Sequence, residues 1–406
     1  MDKTIGENIA GFDFIAFRNE MEMELSRIIK WWLTYAVDEK NEGFFGEISS
    51  TNLANAKADK GVILNTRLLW GFSEGFLHNK NEDCLLAAKK TFEYIQKNFL
   101  DRTNGGLFWL LDYKGEIVNP KKQIYAQAFG IYALSNYYLL SNNEEAILLA
   151  EDLFELIEKY SFDKISNGYY EAFTKDWQPI ADLRLSEKDV NASKTMNTHL
   201  HIMEAYTKLC SVRPSDKIKS ALSNLVSLFI DKFIDEQYHQ RLFFDEKWNS
   251  LSRTVSFGHD IECSWLLWEA GEVLGDDELL AKLKPICLNM AEASLNQGID
   301  ETGAMIYDQF EDGHLDKEKH WWVQNEAVIG FFNAYQISGD ERYLKAMKNV
   351  WSFSKEYLID TETGEWFWSV LGNNEINKKD PKASAWKAFY HNGRMCFEVM
   401  NRIQVS

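Results

Sequence analysis

The chain is poor in whatever breaks a helix or ties a chain covalently. Five prolines in 406 residues leave long stretches free for uninterrupted helices. The five cysteines (84, 210, 263, 287 and 396) form no CxxC pair, and most sit inside apolar helical runs. Buried free thiols of a reducing compartment are therefore expected, with no disulfide framework. No run approaches 18 apolar residues without charges, which excludes a membrane-spanning helix. The start, MDKTIGENIAGFDFIAF, lacks a basic segment followed by an apolar one, so no signal peptide is expected and the protein is read as cytoplasmic. Positive charge is also in deficit: 44 Lys and Arg against 62 Asp and Glu leave a net −18, which would repel nucleic-acid phosphates. No GxGxxG after a strand, P-loop, GxSxG or HExxH is present.

What remains is a globular composition, 45% hydrophobic and 14% aromatic, organised as a repeat. An acidic turn, usually a glycine and then aromatics recur at Asp38–Gly46, Asp101–Trp109, Asp163–Tyr170, Asp235–Phe244, Asp300–Tyr307 and Asp360–Trp368. Aligning Gly43, Gly105, Gly168, Arg241, Gly303 and Gly364 gives steps of 62, 63, 73, 62 and 61 residues. A near-constant period signals a repeat architecture.

Each period holds two helix candidates. The first carries apolar residues at spacings of 3 and 4 on one face, as in Leu85, Ala88, Phe92, Ile95 and Phe99. The second, such as Gln127 to Leu140, is apolar on most sides and must be buried. Six such pairs satisfy both requirements as an (α/α)6 barrel, with buried helices inside and amphipathic ones outside, in a single domain spanning 1–406. All six inner N-termini then lie at one end. The residues predicted there are not core types: Asn65 and Arg67, Tyr125 and Gln127, Asn197, His199 and His201, His259 and Glu262, Trp321, Trp322, Gln324 and Glu326, and His391 with Arg394. A funnel lined by His, Arg, Glu and Trp suits a small-molecule sugar, whose apolar faces stack on indoles.

Three histidines at inner-helix fronts point to acid/base chemistry, because neutral imidazole is a general base near pH 7 and a helix N-terminus disfavours imidazolium. Two facing bases can take a proton from one side of a carbon and return it to the other. His199 and His201 stand two apart and point opposite ways on a helix, so they do not share a metal. An inverting glycosidase is a rival, with Asp189, Asp260, Glu262 and Glu326 as candidate carboxylates. It leaves the histidines unexplained; Asp260 or Glu262 is expected instead to orient His259, as a triad carboxylate does. A non-enzymatic sugar-binding protein is the other rival.

At NTHLH, FGHDIE, WWVQNE and YHNGRMC the sequence resembles the N-acylglucosamine 2-epimerase superfamily, most closely its cellobiose 2-epimerase branch, from Gly61 to the final helix. The resemblance implies the same barrel and cofactor-free epimerisation at C2 of a reducing-end sugar through ring opening and a cis-enediolate. It implies His259 and His391 as the acid/base pair, with His201 and Arg67 beside the reacting end. Asn197, Glu262, Asp189 and Tyr307 complete the implied site, and Trp322 and Trp386 stack on the sugar. No metal or cofactor, no nucleic-acid or membrane partner, and a monomer or weak homodimer are expected. One departure stands beside His391: Ala388-Phe389 replaces the branch's usual Cys-Pro or Gly-Pro, which keeps a mannose 2-epimerase, an N-acylglucosamine 2-epimerase or an aldose–ketose isomerase open as alternatives.

Overall fold

Helices of the two predicted kinds alternate along the chain and sort into two rings. The computed structural model describes residues 8–9 and 12–403. The outer helices are α1 (Phe14–Trp31), α3 (Glu82–Tyr94), α5 (Glu144–Leu156), α7 (Asp216–Leu228), α9 (Asp277–Ala293) and α11 (Glu341–Phe353). The inner ones are α2 (Val62–Asn79), α4 (Ile124–Ser141), α6 (Met196–Val212), α8 (Phe257–Leu274), α10 (Trp321–Ser338) and α12 (Tyr390–Arg402). Each inner helix packs on its inner neighbours, and α12 returns to α2, so the ring closes. Each also packs on the outer layer, most heavily on the outer helix that follows it, with α12 taking α1. The result is an (α/α)6 barrel. No helix among the described residues is long and apolar enough to cross a membrane.

The two rings are started differently. Every outer helix is capped by its own chain: Asp13, Asn81, Asn143, Ser215, Asp276 and Asp340 each accept a backbone N–H of the first turn. Among the inner helices only α6 has a side-chain cap, Thr195. The first N–H of α2, α4, α6, α8 and α10 instead bonds a loop carbonyl of the following repeat, those of Trp109, Glu171, Leu242, Tyr307 and Trp368. Inner-helix fronts are thus set by ring closure, and the loops that set them form the rim of the funnel.

Each outer helix ends in one π-turn and leads into an acidic-turn loop closed by a short backbone bridge, such as Leu100 with Leu107. In five repeats the loop's aspartate meets a buried lysine: Asp38–Lys60 at 2.9 Å, Asp101–Lys122 at 2.9 Å, Asp163–Lys194 at 2.7 Å, Asp300–Lys319 at 3.0 Å and Asp360–Lys382 at 2.6 Å. The fourth repeat departs. Arg241, aligned with the glycines by sequence, is not their equivalent; the carbonyl that closes the turn onto Asp235 belongs to His239, and Tyr238 takes the left-handed conformation at φ 65°. Among the described residues no lysine reaches Asp235, and the imidazole of His239 turns instead to Asp260, with Nδ1 2.7 Å from Oδ2.

Candidate active site

The fronts of α6, α8, α10 and α12 converge with Arg67 of α2. On α6, His201 Nδ1 lies 2.8 Å from Glu204 Oε2, the i,i+3 spacing that puts both on one face. Tyr125 and Phe129 of α4 press on its ring at centroid distances of 4.9 and 4.8 Å. On α12, His391 Nδ1 lies 2.7 Å from Glu326 Oε1 of α10. On α8, His259 Nδ1 lies 2.9 Å from the Ser256 hydroxyl. The Trp322 indole touches both of the last two imidazoles, 4.8 Å from His259 and 5.6 Å from His391. Each Nδ1 is occupied from behind, so in each case the other ring nitrogen is the one left to work.

Burial sets the charge state. It pushes His259 down to about 3, with the nearby His201 adding to the effect. Burial also holds His391 well below the ordinary histidine range, reinforced by Arg67, Arg394, His201 and His259. Both are therefore neutral at pH 7. That four polar groups from four helices act on His391 at once is itself a measure of how tightly the site converges.

Arg394, 1% exposed, is the hub beneath. Its Nη1 bonds Glu204 and the Tyr390 hydroxyl. Its Nη2 bonds Glu262 at 2.5 Å and Glu326 at 2.7 Å. One guanidinium thus ties together the carboxylates behind His201 and His391. Glu262, Glu326 and His391 bring ligand atoms within 4.8 Å of one another, a spacing a cation would suit. The Arg394 guanidinium already bonds both carboxylates of that set. Burial and the neighbouring Glu326 push Glu262 up to about 7, against the pull of Arg394.

Arg67 donates to the Trp386 carbonyl at 2.5 Å and to the Tyr125 hydroxyl at 2.9 Å, with its plane over Phe129 and Tyr390. Trp386 is partly open, edge-on to Trp109 at 5.6 Å. Tyr307 stacks on His320 at 4.0 Å and meets Trp322 edge-on at 6.2 Å. Asn197 keeps a buried Oδ1 with no partner among the described residues. Asp189 accepts the Ser186 N–H within its own loop, and its charge bears on Tyr307 and Glu171.

Three expectations need correcting. Neither Asp260 nor Glu262 orients His259: Asp260 is taken by His239 and the Gln240 N–H, and Glu262 by Arg394. His199 belongs to the scaffold, with Nε2 accepting the Tyr169 N–H and Nδ1 donating to the Thr195 carbonyl. Gln127 and Gln324 accept the corresponding N–H groups of Leu107 and Met305, so this position of an inner helix pins a loop. The Ala388-Phe389 pair does not face the funnel either. Phe389 is buried against Phe72 at 5.0 Å and Trp32 at 5.8 Å, over Gly71, where a Cβ would come within 2.4 Å of its ring. Sequence reading missed the roles of Glu204, Tyr390 and Ser256. The His201-x-x-Glu204 spacing was a visible signal for one of them.

Against known proteins, the family model described as N-acylglucosamine 2-epimerase (GlcNAc 2-epimerase) matches residues 43–394. A cellobiose 2-epimerase of Bacteroides fragilis is 44% identical over 94% of this chain and 98% of its own. One from Ruminococcus albus is 38% identical over 95% and 98%. The solved cellobiose 2-epimerase of Bacillus thermoamylovorans superimposes with a TM-score of 0.92 at 37% identity, covering 96% of this chain and all of that one.

Proposed function

Starting from a chain that belongs to the N-acylglucosamine 2-epimerase family, we propose that it epimerises the reducing-end glucose of cellobiose- or lactose-type β-1,4 disaccharides at C2. The observation that carries the reading is the pair of neutral imidazoles, His259 and His391, on one indole, with Arg67 and His201 beside them.

The C2 proton of an aldose is acidic once the ring opens and C1 becomes an aldehyde. One imidazole takes that proton, and the electron pair moves into a cis-enediolate shared by O1 and O2. Arg67 supplies the positive charge that such oxygens require, with His201 beside it, inside a funnel where water does not screen them. The imidazole on the opposite face, having taken up a proton from solvent, delivers it to C2, and the first imidazolium releases its proton to solvent. Glu326 orients His391 and stabilises its imidazolium while the proton is in transit, as a carboxylate does behind the histidine of a serine protease. Trp322 stacks on the reacting ring and Trp386 on the second, with Asn197, Asp189, Glu262 and Tyr307 completing the walls. The barrel acts as one catalytic domain. With Phe389 turned into the core, the departure at Ala388-Phe389 gives no reason to expect a blocked second subsite.

Incubation with cellobiose in heavy water tests this. Deuterium at C2 together with glucosyl-mannose is the expected result. Free glucose would favour a glycosidase, binding without exchange a sugar-binding protein, and a higher specificity constant for mannose the mannose epimerase.

A further inference from the structure

His259 is the odd one among the three histidines, because a neutral hydroxyl rather than a carboxylate stands behind its Nδ1. A carboxylate is nevertheless near. Ser256 and Asp308 occupy directly opposed positions of an antiparallel pair, Val255–Ser256 with Asp308–Gln309. Opposed residues project their side chains to the same face of the ladder, about 5 Å apart at Cβ. Asp308 Oδ1 is buried and has no hydrogen-bond partner among the described residues. Neither Ser256 nor Asp308 entered the reading of the sequence, and the mechanism above uses neither.

We propose that Asp308 is a positioning residue that sets the tautomer of His259 through the Ser256 hydroxyl. With Asp308 ionised, Ser256 donates its proton to the carboxylate and its oxygen accepts the Nδ1–H of His259. The Nε2 lone pair is then bare and the imidazole is a base. With Asp308 protonated, the carboxyl donates to Ser256, whose own proton turns to Nδ1. The histidine proton then resides on Nε2, and the ring, still neutral, has no lone pair to offer the sugar. His201 and His391, each bonded directly to a carboxylate, lack this switch.

The groups facing Asp308 support a titration in the working range. Asp316 opposes it on the next strand, Asp260 approaches from α8, Tyr307 is its chain neighbour, and Ser256 is the hydroxyl beside it. Burial pushes its carboxyl up to about 7, Ser256 pulling it back and Asp316 and Asp260 raising it further. Its folded value is raised, so the carboxylate that makes His259 a base is present above pH 7 and lost below it.

The catalytic half of this inference rests on the proposed function; the tautomer half does not. In ¹⁵N-histidine spectra at pH 8, wild-type His259 is expected as the Nδ1–H tautomer, and Asp308→Asn should move it toward Nε2–H. In the epimerase assay Asp308→Asn should lower kcat about tenfold with KM within about twofold, and abolish the acid limb near pH 7. Asp308→Glu should restore part of the rate. The loss is smaller than the roughly 10⁴-fold seen on amidating a triad carboxylate, because a hydroxyl intervenes. Ser256→Ala should cost about as much, and the double variant no more than either single one. A wild-type tautomer and pH profile in Asp308→Asn would overturn the relay, as would additive losses in the double variant. Should Asp308→Asn not fold, an unaltered acid limb in Ser256→Ala overturns it equally. A wild type that exchanges no C2 proton would sink the proposed function instead, with the tautomer comparison still standing.

Discussion

The front of α12 and the front of α8 carry the two imidazoles that touch Trp322, and they are backed in opposite ways. Behind His391 lie Glu326 and then Arg394, a buried ion network that also holds Glu204 and Glu262. Directly behind His259 lies the Ser256 hydroxyl, and the carboxylate next to it in sequence, Asp260, has been drawn off to His239. The same side chain is thus held once by fixed charge and once by a rotatable dipole. Fixed charge commits His391 to one tautomer and favours its imidazolium during turnover, whereas the hydroxyl can either donate or accept. The comparison suggests one imidazole of constant character and one whose character its surroundings select.

The sharpest way to break this comparison is to remove each ring. His259→Ala and His391→Ala are both expected to lower epimerisation by about 10²- to 10⁴-fold, the usual contribution of a general acid or base. His78→Ala and His314→Ala, outside the inner-helix fronts, should stay within about twofold. Equal losses in those controls would mean that the histidines matter for folding rather than chemistry, which circular dichroism of each variant would show.

How far such a site can be read from sequence follows from where its contacts lie. The sixfold period, the two helix types and the polar inner fronts are local properties, visible as spacings of 3 and 4 and as recurring loops. The Arg394 network is not local: its bonds span 190, 132 and 68 positions to Glu204, Glu262 and Glu326. Nothing in a one-dimensional pattern says which of several buried carboxylates meets which histidine. The repeated His-x-x-Glu spacing misled as well as informed, since Glu204 backs His201 while Glu262 turns away from His259. The lysines two residues before α2, α4, α6 and α10 recur with the period and were legible, but their partners lie across a loop. In the fourth repeat the missing glycine concealed that His239 takes the closing position, so the alignment slid to Arg241.

Smaller changes sharpen the comparison. Glu326→Gln takes the fixed charge from behind His391 and should lower kcat by about 10²-fold with little change in KM, more than the about tenfold expected for Ser256→Ala behind His259. Parity between the two would mean that the carboxylate does no more than the hydroxyl. Trp386→Ala should lower kcat/KM about tenfold for cellobiose and less than about twofold for mannose, since a stacked ring is worth about 1 kcal/mol or somewhat more. Equal losses on both sugars would place Trp386 in the wall of the first ring rather than under the second.

The two-imidazole account is tested most directly by isotope exchange in the single-histidine variants. With one base removed, the other should still exchange the C2 proton of the epimer whose hydrogen it faces, without forming the opposite epimer. His259→Ala and His391→Ala, each incubated in heavy water with cellobiose and separately with glucosyl-mannose, should therefore label different substrates, one apiece, with no interconversion. Labelling of both sugars by a single variant, or interconversion at close to the wild-type rate, would show that one imidazole serves both faces and would contradict the account.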